Sequence, residues 1–168
     1  MLEDFSMDTA TIGHGGLACT RCQTVLVFNP KHRQCIIKHS GAHILFDPSI
    51  DCTLEPCRLC LHPAPLCKIY LRKTKGRAGN IVIDMRASSC SNLVKFSVTV
   101  TTEFSNSLPC TNHPLRCPYC PDSSLAVWSY TFREHLTRFH STASLEDNET
   151  IWAVSGLEEE QMKQIWDD

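Results

Sequence analysis

No stretch of this chain approaches the roughly 18 consecutive apolar residues that a membrane-spanning helix needs. The opening residues, from Met1 to Asp8, are acidic, with neither the basic start nor the apolar run of a secretory signal. Both absences point to a reducing compartment, nuclear or cytoplasmic, and to no membrane partner. A Gly-rich phosphate loop is missing, and no nucleophile stands in an obvious arrangement with a base. The expectation is therefore a non-enzyme without a small-molecule substrate. Strong net charge is absent too, the total being −2 over 168 residues.

What the chain has in excess is metal-ligand chemistry: eleven cysteines and eight histidines. An odd number of cysteines excludes complete disulfide pairing within the chain, and in a reducing compartment thiols bind metal. The clearest pattern is Cys117 and Cys120, fourteen intervening residues, then His135 and His140. Two thiolates three apart fit one tight knuckle, here stiffened by Pro118 and Pro121. Two histidines five apart lie on nearly one face of a helix, so both rings reach one ion. Thr131 and Glu134 occupy the first and fourth places of a capping box that would start this helix. Phe132, three residues before His135, would pack behind the metal.

A second group of the same kind precedes it: Cys19 and Cys22, sixteen residues, then His39 and His43. Residues 24–28 read as a short strand, Asn29-Pro30 as a turn, and residues 31–43 as a helix with Ile36 in the place of Phe132. Cys35, one helical turn from His39, is a rival ligand. Between the two groups lie Cys57, Cys60 and Cys67, followed by strand-like residues 68–71 and 81–85 around a turn-rich stretch. Antiparallel pairing through that turn places Cys67 and Cys90 at one end of a hairpin beside the Cys57/Cys60 knuckle. The four thiols then form a third site, with residues 95–100 adding a third strand. His62, Cys110 and His113 compete for its last position, and buried free thiols in a plain sheet are the alternative.

The expected fold is small α+β: two ββα-like zinc fingers flanking a small antiparallel three-stranded sheet, with a C-terminal helix. It divides into a mobile leader (1–16), first finger (17–46), central Cys-rich sheet (52–108), second finger (109–141) and acidic tail with a helix (142–168). Three Zn2+ ions are expected. Twelve basic and five acidic side chains fall in residues 31–116, against one and eight in residues 141–168. The middle could face a polyanion, or be neutralised by the chain's own tail. Ser155 and Glu158 form a second capping box, with Leu157, Met162, Ile165 and Trp166 giving a partial apolar stripe over residues 157–166. Trp152 and Trp166 either dock on the body or anchor a partner.

Three segments resemble an uncharacterised family of fungal zinc-finger proteins. They are residues 39–45 with His39 and His43, Cys57 and Cys60 with residues 67–71, and Cys110 leading to Cys117, Cys120 and residues 126–130. The resemblance implies three linked zinc modules, assigns no activity, and implies that Cys110 belongs to the pattern. The outer groups also resemble two-Cys/two-His DNA readers, with a departure. The helix positions that read bases there correspond to Trp128, Thr131 and Glu134, and to His32, Cys35 and Lys38. Neither set supplies an arginine for guanine. A regulatory role through nucleic acid would instead use backbone contacts from Lys68, Arg72, Lys73, Lys75 and Arg77. The rival is a protein-interaction adaptor using the zinc-held surfaces or the tryptophan-bearing tail.

Overall fold

The computed structural model describes residues 16–23, 25–64, 66–76, 79–95, 98 and 101–168. Within them the chain is a small α+β protein made of three two-stranded antiparallel sheets and four α-helices. Strands β1 (Leu17–Cys19) and β2 (Leu26–Phe28) pair with Leu17 opposite Phe28, so the residues between them form a tight loop carrying Cys22. Asn29 then accepts a hydrogen bond from Lys31 N at 2.9 Å, and Pro30 opens a 3-10 turn. The preset φ of proline and the side-chain acceptor together fix the entry into helix α1 (Arg33–Phe46). This helix continues three residues past the expected His43, to an end where Asp47 N donates to His43 O.

The central hairpin is β3 (Leu71–Lys73) with β4 (Ile81–Ile83), in register Leu71 to Ile83 and Lys73 to Ile81. Its ladder is shorter than residues 68–71 and 81–85 imply. Asp84 accepts from Arg86 N and Ala87 N, turning the chain, and Ser88 Oγ accepts from Tyr70 N at 2.8 Å. Pairing resumes only at the isolated Lys68–Ser89 bridge. Of the expected third strand, residues 96, 97, 99 and 100 lie outside the described residues. So do residues 1–15 of the expected leader, and Thr24.

The last sheet, β5 (Pro114–Leu115) with β6 (Val127–Trp128), leads through a 3-10 turn into α2 (Phe132–Phe139). The capping box expected here does not form. Thr131 makes no cap bond, its hydroxyl donating to Trp128 O at 3.3 Å, because the preceding 3-10 turn already supplies the helix entry. Two helices follow. The sequence reading missed α3 (Leu145–Trp152), capped by Ser144, and found α4 (Gly156–Asp167), capped by Ser155.

Helix α4 packs on α1, with Met162 fully buried against Ala42 and Cys110. A Cβ on Gly41 would stand 2.5 Å from Cys110 Sγ and 2.9 Å from Met162 Cε. Only glycine allows so close an approach. Glu158, expected to reach back along its own helix, instead turns inward and is buried. It accepts from Thr111 N at 2.6 Å, from Thr111 Oγ1 and from the Tyr130 hydroxyl. Both tryptophans dock on the body: Trp152 lies 6.2 Å from the Phe132 ring and Trp166 meets His43 edge-on at 5.1 Å.

The main apolar core runs from Leu17 and Ile36 through Leu59, Ile69 and Ile83 to Trp128. Buried Asn92 ties two parts of it together, accepting from Ala18 N and donating to Ala18 O and Leu59 O. Among the described residues no helix is long and apolar enough to cross a membrane.

Candidate metal centres

Three groups of four side chains bring their ligand atoms within 4.8 Å of one another: Cys19, Cys22, His39 and His43; Cys57, Cys60, Cys67 and Cys90; and Cys117, Cys120, His135 and His140. In the first, the β1–β2 hairpin supplies the cysteines and one face of α1 the histidines. Cys22 Sγ lies 3.3 Å from His39 Nε2 and 3.4 Å from His43 Nε2, and Cys19 Sγ lies 3.6 Å from His43 Nε2. The third repeats the plan around α2, with Cys120 Sγ 3.4 Å from His135 Nε2 and 3.0 Å from His140 Nε2. In the second, Cys57 and Cys90 sulfurs are 3.9 Å apart.

These separations test whether one ion fits. A tetrahedral ion with metal–sulfur bonds of about 2.3 Å and metal–nitrogen bonds of about 2.0–2.1 Å sets sulfur–nitrogen edges of about 3.6 Å and sulfur–sulfur edges of about 3.8 Å. All but the short Cys120–His140 contact agree within about 0.3 Å. The donor sets, two thiols with two imidazoles and four thiols, are those of closed four-coordinate sites. Each of the three groups could therefore hold one metal ion.

The atoms behind the ligands point the same way. His43 turns Nε2 to the sulfurs while Nδ1 lies 2.8 Å from Asp47 Oδ2. His135 does the same with Nδ1 on Glu55 Oε1. Such a carboxylate fixes the ring's tautomer and orientation, leaving the other nitrogen free for an ion. Glu55 reaches His135 from a left-handed backbone conformation, φ 52°. Leu61, directly after Cys60, is also left-handed, φ 60°, where the chain turns over the knuckle. Leu59 N donates to Cys57 Sγ at 3.4 Å in that turn.

Acidity follows the crowding. Burial opposes ionisation of Cys19, but the His39 and His43 rings outweigh it and bring the thiol down to about 5. Burial, and then the Cys19 thiolate, push Cys22 up to about 11. Cys120 rises likewise to about 11, through burial and Cys117. In the central group burial raises Cys57, while hydrogen bonds from Cys57, Cys67 and Cys90 favour the Cys60 thiolate. One negative charge among neighbouring sulfurs suppresses the next, and a dication removes that penalty.

The expected rivals stand outside the three groups. Cys35 is half-buried on α1. Cys110 is buried under α4, with the Tyr130 hydroxyl 3.6 Å from its sulfur. His113 Nδ1 lies 2.8 Å from Thr111 O, and burial lowers its pKa. Cys52, outside the three groups, donates to Ile44 O at 3.7 Å. His62 lies on the rim of a hollow of about 190 Å³ that is also lined by Cys60, Cys67 and Cys90. A larger depression, about 360 Å³ between Phe46 and Glu159, Glu160 and Lys163 of α4, touches no metal ligand. Of the expected basic surface, Lys68, Arg72, Lys73 and Lys75 are exposed on or beside the β3–β4 hairpin, and Arg77 lies outside the described residues.

The sequence reading overlooked Asp47 and Glu55. Asp47 was within reach as an acid four residues after His43 on a helix face. Glu55 and His135 are 80 residues apart, and no local pattern joins them. No protein-family model, curated protein or solved structure matches this chain.

Proposed function

We propose that this protein is a three-zinc binding module of the zinc-finger class whose folded surface contacts nucleic acid in a regulatory role. The observation that carries the zinc assignment is the convergence of each group's four ligand atoms to within 4.8 Å of one another, with His43 and His135 held from behind by carboxylates. Zn2+ suits sulfur and imidazole donors in this geometry. The sites are full quartets, so zinc here holds structure and the chain is not an enzyme. In this reading it shares the zinc modules of the fungal zinc-finger proteins and works in a reducing compartment, nuclear or cytoplasmic.

The nucleic-acid surface is the β3–β4 hairpin. Helix α1 is covered by α4 along the face holding Gly41 and Ala42, so it is not free to enter a groove as a reading helix. The hairpin cations Lys68, Arg72, Lys73 and Lys75 are exposed. Contacts from this surface are to phosphates, without base selection. Strand side chains alternate faces, so Arg72 and Lys73 lie on opposite sides, and at most four of Lys68, Arg72, Lys73, Lys75 and Arg77 grip one backbone, which gives a log–log salt slope of about −3 to −4 on B-DNA. Binding of the zinc-loaded chain to duplex DNA across a salt series is the test, against a variant carrying Arg72→Gln, Lys73→Gln and Lys75→Gln. The variant should lose most of the slope; an unchanged affinity and slope would discard the hairpin.

A second reading, an adaptor for protein partners, draws on the exposed Val25 and Val27 beside and on β2 and on Tyr119 and Phe139 near the third metal group. The docked positions of Trp152 and Trp166 remove the tail tryptophans from that surface.

A further inference from the structure

The three metal groups are not equally shielded. The first is flanked by aromatic rings, Phe28 lying 5.2 Å from His39 and Trp166 5.1 Å from His43. The third has Phe132 and Phe139 beside His135 and Tyr119 beside His140. The central group has a hollow instead. Three of its four sulfur-bearing residues, Cys60, Cys67 and Cys90, line about 190 Å³ of open space together with His62, Ser89 and Ser91. Leu66, on the rim, is 75% exposed and closes nothing off. Cys60 and Cys90 are both half-buried, while each outer group offers one such sulfur.

Charge separates the groups as well. A dication with two thiolates and two neutral imidazoles is formally neutral, whereas four thiolates leave an excess of negative charge on sulfur. Sulfur that is anionic and reachable is the sulfur that small oxidants attack.

From the hollow and the four-sulfur donor set we infer that the central group is an oxidant-modification site, at which a peroxide releases the metal. This inference rests on the zinc reading and adds a reaction to it. A thiolate at Cys60 or Cys90 attacks one peroxide oxygen, the O–O bond breaks, and a sulfenic acid and hydroxide form. A second thiolate of the group, its sulfur within 4.8 Å, attacks that sulfenic sulfur and expels a second hydroxide as the disulfide closes. The two sulfurs give up two electrons in all, and peroxide is reduced to two hydroxides. The ion, left with two ligands in place of four, dissociates. Because α1 and α2 are bound to other ions, the loss is confined to the β3–β4 region and Asn92's neighbourhood. Reduction of the disulfide restores the site.

The experiment uses the full chain, its zinc content measured first, with hydrogen peroxide added in small steps. Released zinc is read with a chromogenic chelator, and cysteines are mapped by differential alkylation and mass spectrometry. The first equivalent of zinc should appear together with protection of two residues among Cys57, Cys60, Cys67 and Cys90, while Cys19, Cys22, Cys117 and Cys120 stay alkylatable in denaturant. Leu66→Trp, which places a larger side chain on the rim of the hollow and replaces no ligand, should slow that first release several-fold, and dithiothreitol should allow the zinc to rebind. Release beginning at Cys22 or Cys120, equal rates from all three groups, or no effect of Leu66→Trp would overturn the inference and leave the zinc reading intact. A chain holding fewer than three zinc ions from the outset would overturn both.

Discussion

At the scale of single residues, the side chains behind the ligands decide how well the ligands work. Asp47 and Glu55 contact no ion themselves, yet each holds a histidine ring in the tautomer that frees Nε2. Removing such a carboxylate typically costs about 10–100-fold in metal affinity. Competition with a chromogenic zinc chelator should show Asp47→Asn weakening the first group and Glu55→Gln the third by about that factor. Each should leave the other group unchanged. Gly41 presents a different test. Alanine in a helix is ordinarily favoured over glycine by roughly 0.5–1 kcal/mol. Here its Cβ would collide with Cys110 and Met162, and overpacking costs about 1–3 kcal/mol. Both neighbours are buried and confined by α1 and α4, so the collision wins. Gly41→Ala should lower stability in denaturant melts, whereas an unexposed glycine merely tolerated in a helix would give a gain.

At the scale of elements, the three candidate ligand groups and helix α4 were legible in the sequence, and helix α3 was not. The ligand spacing is set by local geometry, a knuckle and one or two helical turns, so residues such as Cys117 and His135 announce themselves. The placement of Cys67 and Cys90 followed from antiparallel pairing, which survives in the structure even though Asp84 interrupts the ladder. Helix α3 is only eight residues long, with apolar side chains at Leu145, Ile151 and Trp152 alone, and its Ser144 cap, accepting from Asp147 N, was not read as a helix start. Glu158 misled because its position suits a capping box. Its carboxylate instead meets Thr111 and Tyr130, partners 47 and 28 residues away that only the folded chain brings near. Its role is to fasten α4. Arg58, fully buried in the knuckle, faces the same cluster and donates to Cys110 O at 3.2 Å. Removing one partner of a buried hydrogen-bonded cluster, leaving the others unsatisfied, costs about 1–3 kcal/mol. Glu158→Ala should therefore destabilise the chain by about 2–3 kcal/mol. It should also move Trp166 off His43, read as a red shift in its emission. Unchanged emission and stability would show that α4 is held by Met162 and Trp166 alone.

At the scale of the whole molecule, the apolar core is small and continuous with the ligands: Cys19, Cys57 and Cys67 are themselves among its buried members. Structural zinc in finger peptides contributes about 10–16 kcal/mol of apparent binding energy. The entire stability of an ordinary domain is about 5–15 kcal/mol. Metal bound at these groups would therefore decide whether the chain is folded, and the helices α1 and α2 should lose their circular-dichroism signal when a strong chelator removes it. Everything proposed for the hairpin surface and for the central sulfurs depends on those ions being present, one at each group. The most direct measurement is native mass spectrometry of the freshly purified, reduced chain. Three zinc ions per chain with all eleven cysteines as thiols or thiolates is the predicted mass. Fewer than three zinc ions, or a mass lowered by intramolecular disulfides at the ligand cysteines, would contradict it.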